Sequence, residues 1–292
     1  MYRMKTLSNQ NKELKMKIVK PESVGLSAER LGSFDKMLMD KYIGLDKLAG
    51  TQTLIARKGQ IAHFHSQGKR DIENNLPVDE KTLFRIYSMT KPVTGVALMQ
   101  LFEQGLFQLS DPVSKYLPEF KNQSVYVSGA YPMFITEPLK REILIRDLLT
   151  HTSGLSYSIN YRSHVDEAYR KIFKISDPTK ALVSKEKIDL EEFSKRVASL
   201  PLEFNPGEQW LYSVSIDICA RLVEVMSGKK IDQFFNDHIF KPLGMSDTGF
   251  YVKEDSLKDL AVCYYRDMNK KITIHDPGAV SYTHLRAHET TS

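Results

Sequence analysis

Read for the spacing of its apolar positions, the chain changes character after Phe84. Before that point Leu31, Phe34, Leu38 and Tyr42 recur at helical spacing behind Ser27, which predicts an N-cap at Ser27 and an amphipathic helix over residues 28–43. Two short β-branched runs, 51–57 and 60–66, flank Lys58-Gly59 and predict a β-hairpin. Beyond Phe84 the pattern is one of helices joined by long loops. Residues 91–104 are apolar nearly all round, with Gln100, Glu103 and Gln104 as the polar stripe and Gly105 as a stop, the pattern of a core helix. A short helix over 144–149 runs into His151-Thr152-Ser153-Gly154-Leu155, and residues 156–190 are polar and loosely patterned, as in an insertion or lid. Asn205-Pro206-Gly207 reads as a turn, 213–227 as a helix closed by Gly228, and 261–265 and 271–274 as strands returning to the first sheet. A helix, an antiparallel pair, a block of helices and returning strands together make an α+β chain.

At 292 residues and 41% hydrophobic, the chain can bury one large core or two modest ones, so two closely packed subdomains are the default. The net charge of +5 sits entirely in residues 1–20, where Arg3, Lys5, Lys12, Lys15, Lys17 and Lys20 oppose Glu13. The rest is neutral, so this is a flexible basic lead-in rather than the cationic face that nucleic acid requires. No apolar run approaches a membrane span, and the lead-in lacks the apolar core of a secretory signal, which predicts a cytoplasmic protein with no membrane partner. Met16 is a plausible alternative start. Cys219 and Cys263 make neither a disulfide framework nor a metal spacing, and Cys219, set among Ile216, Ile218, Ala220 and Leu222, reads as a buried, inert thiol. Metal-protease, phosphate-loop and dinucleotide glycine patterns are absent, so no metal and no cofactor are implied.

Residues 280–290 are a separate matter. Val280-Ser281-Tyr282-Thr283-His284-Leu285-Arg286-Ala287-His288-Glu289-Thr290 spells one reading frame of a transposase adapter used in preparing sequencing libraries. The expectation is a natural protein interrupted near Ala279, with 280–292 a non-native tail to be left out of fold reasoning.

The candidate chemistry begins at Ser88-Met89-Thr90-Lys91. Ser-x-x-Lys occurs five times, at Ser33, Ser66, Ser88, Ser184 and Ser227, so the pattern alone is weak. Only Ser88 opens an apolar helix, where residues three apart share a face and an amine can activate a hydroxyl without a histidine. Lys91 is oddly placed for helix stability, because a cation in the first turn opposes the dipole. A second element is Phe204-Asn205-Pro206-Gly207-Glu208-Gln209-Trp210-Leu211-Tyr212-Ser213, in which a tight turn and an aromatic wedge fix a tyrosine just ahead of a helix. A phenol, ordinarily with a pKa near ~10, is a poor base at neutral pH, but a neighbouring ammonium stabilises its phenolate. Lys91 is the candidate for that ammonium, and Tyr157-Ser158 is a rival that lacks the Pro-Gly-x-x-Trp lead-in. His151 invites a Ser-His-Asp reading, yet no Gly-x-Ser-x-Gly elbow exists and the following Thr-Ser-Gly fits an anchored loop, so its expected role is structural.

Ser88-Met89-Thr90-Lys91-Pro92-Val93-Thr94, Leu148-Leu149-Thr150-His151-Thr152-Ser153-Gly154-Leu155 and Pro206-Gly207-x-x-Trp210-x-Tyr212-Ser213 together resemble the serine beta-lactamase-related hydrolases, which include class C beta-lactamases, DD-peptidases and similar esterases. The similarity runs from about Pro21 to Ala279. It implies a beta-lactamase/transpeptidase-like fold, in which an antiparallel sheet flanked by helices (about 21–80 and 250–279) packs on a mostly helical subdomain (about 81–249) with the site between. By the same resemblance Ser88 is the nucleophile, Lys91 its activating partner and Tyr212 the general base and later acid, with Tyr87, Ser213 and Val214 beside the substrate. The expected reaction is hydrolysis of a small-molecule ester or amide through an acyl-enzyme on Ser88.

Two departures shape that expectation. Class C beta-lactamases follow the tyrosine with x-Asn, whereas here Tyr212-Ser213-Val214 offers no amide, which favours the esterase-like branch over a beta-lactamase or DD-peptidase. The family's Lys-Thr-Gly or His-x-Gly strand, which supplies an oxyanion donor, has no match between Tyr212 and Ala279. Lys229-Lys230-Ile231 and His275-Asp276-Pro277-Gly278 are poor substitutes. Losing one such donor typically costs ~10²–10³ in rate, and losing the strands and closing helix beyond it would expose a sheet edge and a core face, so the chain as written is expected to be inactive and poorly folded. The alternative from another class is a non-catalytic relative that uses the cleft to bind a ligand, against which the retention of Ser88, Lys91 and Tyr212 argues.

Overall fold

The computed structural model describes residues 16–159, 161–175 and 188–276. The basic lead-in up to residue 15, the second part of the expected lid, Pro277-Gly278 and the adapter-like tail lie outside the described residues. Among the described residues, 16–84 with 255–276 form one compact unit, and the second falls within 85–254.

In the first unit, helix α1 (Ala28–Leu38) starts where predicted, with Ser27 Oγ accepting the Arg30 N–H at 3.2 Å. It continues through a π-type turn, Met39–Ile43, to Gly44. The expected apolar stripe is only half covered, because Leu31 and Leu38 are partly buried while Phe34 and Tyr42 are exposed. Strands β1 (Gly50–Arg57) and β2 (Gln60–Asp71) form the predicted hairpin, and Lys58 and Gly59 both take positive φ (53° and 70°). That backbone matches the right-handed twist of the flanking strands. Strand β2 extends beyond the predicted 60–66 because β3 (Leu76–Pro77) pairs with its end, Lys69 opposite Pro77.

In the second unit a 3₁₀ turn, Tyr87–Met89, leads into α2 (Thr90–Glu103), so the helix begins two residues after Ser88 rather than at it. Thr94, Ala97, Leu98 and Leu101 form its buried face, and Gly105 (φ 73°) ends it. Strands β4 (Ser124–Ala130) and β5 (Met133–Pro138) make an antiparallel hairpin inside what the sequence pattern cast as helices and loops. Helix α3 (Ile145–Leu149) is short, and its first turn is tied by Asp147, which accepts the Leu144 N–H at 2.8 Å and a two-pronged ion pair from Arg141 at 2.6 and 3.0 Å.

Helix α4 (His164–Ile172) places the first part of the segment expected as an insertion or lid in the core, since its Val165, Ala168 and Tyr169 are fully buried. The polar residues between them hid the stripe: Asp166 pairs with Arg170 at 2.6 Å, four residues on. Helix α5 (Leu190–Ala198) opens on Asp189, which accepts the Glu192 N–H at 2.9 Å. Helix α6 (Ser215–Ser227), ended by Gly228 (φ 69°), is buried at nearly every position to Glu224 and packs against α2, α3, α5 and α7 (Ile231–Phe235). Leu98, Leu101, Leu148, Leu202, Ile218 and Phe234 close this core, each contributing about 1.5–3 kcal/mol on burial.

The last two strands, β6 (Cys263–Arg266) and β7 (Ile272–Asp276), belong to the first unit. They pair with each other and do not join the β1–β3 ladder, which corrects the predicted return to the first sheet. Bonds to the earlier part of this unit include Val262 N–H to the Arg70 carbonyl at 2.9 Å, the Leu83–Leu260 bridge, and the Ile72 N–H to Tyr264 Oη at 2.7 Å.

Candidate active site

Ser88 sits in the 3₁₀ turn ahead of α2, just after Tyr87, whose φ of 41° is rarely adopted by a residue with a side chain. The turn is closed by the Met89 N–H on the Ile86 carbonyl at 2.9 Å. Strain of this kind persists only where the surroundings over-determine it, and here it stands beside the candidate nucleophile. One turn on, Lys91 Nζ donates to Ser88 Oγ at 3.4 Å.

Tyr212 comes from a segment laid along the loop that follows α3. The Glu203 N–H meets the Gly154 carbonyl at 2.8 Å, Gly207 N–H meets Thr152 at 2.7 Å, Leu211 N–H meets His151 at 2.9 Å and Val214 N–H meets Ser156 at 3.2 Å. Gly154 (φ 84°) is what allows the approach, since a Cβ there would lie 2.3 Å from the Phe204 carbonyl oxygen. The result is a rigid phenol: Tyr212 Oη donates to Ser88 Oγ at 2.7 Å, and its ring lies 4.9 Å from His151 and edge-on to Tyr157 at 5.8 Å. Lys91 Nζ stands 5.1 Å from the Tyr212 ring centroid and 5.9 Å from that of Tyr157.

His151 has the expected structural place. Its Nδ1 accepts the Ser213 N–H at 3.3 Å, so the ring proton sits on Nε2, and burial together with the Lys91 cation holds the imidazole below its ordinary pKa and therefore neutral. The Ser213 hydroxyl bonds His151 Nδ1 at 3.2 Å and Ser215 Oγ at 2.7 Å, and Ser215 in turn bonds Ser153 Oγ at 2.7 Å.

The expectation that Ser213 and Val214 line the substrate is thereby corrected. Ser213 is fully buried with its hydroxyl committed to that chain, and Val214 packs in the core at 3% exposure. Tyr87, in contrast, is exposed beside Ser88, as is Met89, and Trp210 is 67% exposed with its ring edge-on to His151. Tyr157, weighed as a rival base, is buried, and burial with the nearby Asp217 carboxylate pushes its phenol well above the usual range. Sequence reasoning missed Asp217, the third residue of α6, whose buried carboxyl is pushed up to about 7 by burial against the opposing pull of Lys91. An acid set between Ile216 and Ile218 was the available signal.

Among the described residues no cluster of three or more His, Cys, Asp or Glu side chains is arranged to hold a metal ion, and no helix is long and apolar enough to cross a membrane. What Ser88, Lys91 and Tyr212 provide is a hydroxyl bridged by a phenol and an amine. Remove one proton from that pair and the group left behind can accept the Ser88 proton as Oγ attacks a carbonyl carbon.

The family model described as Beta-lactamase matches residues 38–284, and the chain belongs to that family. It has the beta-lactamase/transpeptidase-like α+β fold. Protein Rv1367c of Mycobacterium tuberculosis is 34% identical over 229 residues, 78% of this chain and 54% of that protein. Esterase EstB of Burkholderia gladioli is 32% identical over 256 residues, 88% of this chain and 60% of EstB. Among solved structures, EstCE1, described as a hydrolase with promiscuous acyltransferase activity, superposes with a TM-score of 0.70 at 28% identity, covering 86% of this chain and 59% of that one. The chain thus spans a little over half the length of Rv1367c and of EstB.

Proposed function

We propose that the protein is a carboxylesterase-like serine hydrolase that cleaves a small-molecule ester or amide through a covalent acyl-enzyme on Ser88. The observation that carries this reading is the 2.7 Å contact of Tyr212 Oη with Ser88 Oγ, with Lys91 Nζ at 3.4 Å from the same oxygen. In the reactive state the proton of the pair rests on Lys91 as an ammonium and Tyr212 is a phenolate. Ser88 Oγ bonds to the substrate carbonyl carbon as its proton passes to Tyr212 Oη, and the same proton then goes to the leaving alcohol or amine as its bond to carbon breaks. Water completes the cycle in reverse, giving a proton to Tyr212 that returns to Ser88 Oγ as the acid departs. The likeness to EstB supports the ester branch. The absence of an amide at position 214, whose valine is in the core, weighs against lactams.

Transfer of the acyl group to an alcohol in place of water is a second reading. It is favoured by the likeness to EstCE1 and by exposed Trp210 at the rim, an apolar platform for an acceptor. The test is a p-nitrophenyl ester assay on the chain and on Ser88→Ala. Steady turnover depends on an oxyanion wall that no motif between Tyr212 and Ala279 supplies, so the readout is the burst. One equivalent of nitrophenol released by the chain and none by Ser88→Ala supports the proposal; equal release by both overturns it. Nitrocefin in place of the ester tests the lactam branch.

A further inference from the structure

The loop after α3 and the start of α6 share a run of buried hydroxyls that no step of the reaction consumes. Ser153, Ser213 and Ser215 are each 0% exposed. Ser153 Oγ lies 2.7 Å from Ser215 Oγ, Ser215 Oγ lies 2.7 Å from Ser213 Oγ, and Ser213 Oγ lies 3.2 Å from His151 Nδ1. The direction of each bond follows from the protons available. At one end the Leu155 N–H donates to Ser153 Oγ at 3.1 Å. At the other, His151 Nδ1 accepts the Ser213 N–H at 3.3 Å, so it carries no proton of its own. Each hydroxyl has a single proton, and one order uses all three: Ser153 donates to Ser215, Ser215 to Ser213, and Ser213 to His151 Nδ1. The reverse order gives the Ser153 proton no acceptor among the described residues and leaves Nδ1 facing a hydroxyl with no proton to offer.

His151, where this chain ends, holds Tyr212 from both sides. Its carbonyl accepts the Leu211 N–H at 2.9 Å, its Nδ1 accepts the Ser213 N–H, and its ring lies 4.9 Å from the Tyr212 ring. We infer that Ser153, Ser215 and Ser213 are positioning residues of the reaction: a one-way hydroxyl chain that fixes the tautomer and plane of His151 and, through it, keeps Tyr212 Oη against Ser88 Oγ. Buried as they are, the three hydroxyls act without touching substrate. The inference rests on the acyl-transfer reading given above. Loss of Ser215 Oγ cuts the chain in the middle. Ser153 is left with a buried proton and no acceptor, Ser213 Oγ loses its hydroxyl donor, and His151 is freed to shift together with the tyrosine that leans on it. A displacement of ~1 Å at the reacting atoms costs up to ~10²-fold in rate.

The experiment is a double-mutant cycle of Ser215→Ala and Tyr212→Phe, read by the rate at which a fluorophosphonate labels Ser88 and by thermal melting. Ser215→Ala should slow labelling about tenfold in the parent and less than about twofold in Tyr212→Phe, which has no phenol left to misplace. No slowing in the parent, or equal slowing in both backgrounds, overturns the inference, because a purely structural loss acts alike with and without the phenol. In melting, Tyr212→Phe should cost less in Ser215→Ala than in the parent, since its contact with Ser88 is already weakened; equal shifts overturn the inference. If Ser215→Ala does not fold, Ser153→Ala, one step further from His151, carries the same predictions. Nitrogen-15 NMR of the His151 ring, assigned with His151→Gln, reads the direction of the chain: the ring proton should sit on Nε2, and a proton on Nδ1 overturns it. If the parent does not label at all, the acyl-transfer reading fails, and the melting cycle and the ring tautomer still decide the positioning role.

Discussion

Replacing Tyr212 with phenylalanine deletes one oxygen, 2.7 Å from Ser88 Oγ, and leaves the rest of the site in place. The ring is held by His151 at 4.9 Å and Tyr157 at 5.8 Å, and the segment that carries it is bonded at Leu211 and Val214 to the loop after α3, so no contact that positions the ring depends on the hydroxyl. The loss of fold stability is that of one hydrogen bond, about 1 kcal/mol. The loss of rate is far larger. A positioned base contributes ~10²–10⁴-fold, and 2.7 Å is the preferred distance for an O–H···O bond. Lys91, at 3.4 Å, is at the outer limit of a hydrogen bond and does not take over without moving. Ser88 labelling by a fluorophosphonate should therefore slow at least ~10²-fold, equivalent to about 2.7 kcal/mol in the barrier. The assay is the pseudo-first-order labelling constant read by intact mass, with a thermal melt beside it. A rate within about threefold of the parent, with an unchanged melt, would remove Tyr212 from the role of base and pass it to Lys91.

Two further expectations concern stability in the second unit. Arg141→Met strips the fork from Asp147, whose side chain is 5% exposed, and should destabilise by about 2–3 kcal/mol, below the ~3–5 of a fully buried pair because Arg141 is itself 36% exposed. Urea unfolding measures this, and Arg141→Lys should recover only part of the loss because a single ammonium cannot reproduce the fork. Asp111 accepts the Gln108 N–H, the Lys115 ammonium and the Tyr116 hydroxyl, which hold its carboxyl at about 2 against an ordinary 3.8. Its folded-state pKa is depressed, so its stabilisation is complete above about pH 4 and is lost as pH falls through about 2. Melting temperature in that window should fall less steeply with acid in Asp111→Asn than in the parent.

Much of this architecture was legible where one local signal and the tertiary environment agree. Ser27 caps α1, Lys58-Gly59 turns the first hairpin, and Gly105 and Gly228 end α2 and α6, because each is decided by backbone geometry within a few residues. The Ser88–Lys91–Tyr212 grouping was legible because a turn, a tryptophan and a helix start constrain the tyrosine so tightly. What failed depended on partners distant in sequence. The β4–β5 hairpin was masked because its outward face carries Val127, Met133 and Ile135, which blurs the alternation a half-buried strand shows. Helix α4 looked loose because Asp166 and Arg170 spend their charge on each other. Ser213 and Val214 were placed beside the substrate by their neighbour in sequence, but the chain turns into α6 there and buries both.

The central claim is that Ser88 Oγ is the acyl-accepting nucleophile, and mapping a covalent adduct tests it most directly. After incubation with a fluorophosphonate the chain is digested and its peptides are read by tandem mass spectrometry, with Ser88→Ala treated in parallel. The account predicts one equivalent of adduct, on Ser88, in the parent and none in the variant. An adduct of equal yield at another residue in both proteins, or no adduct on a folded parent, would contradict it.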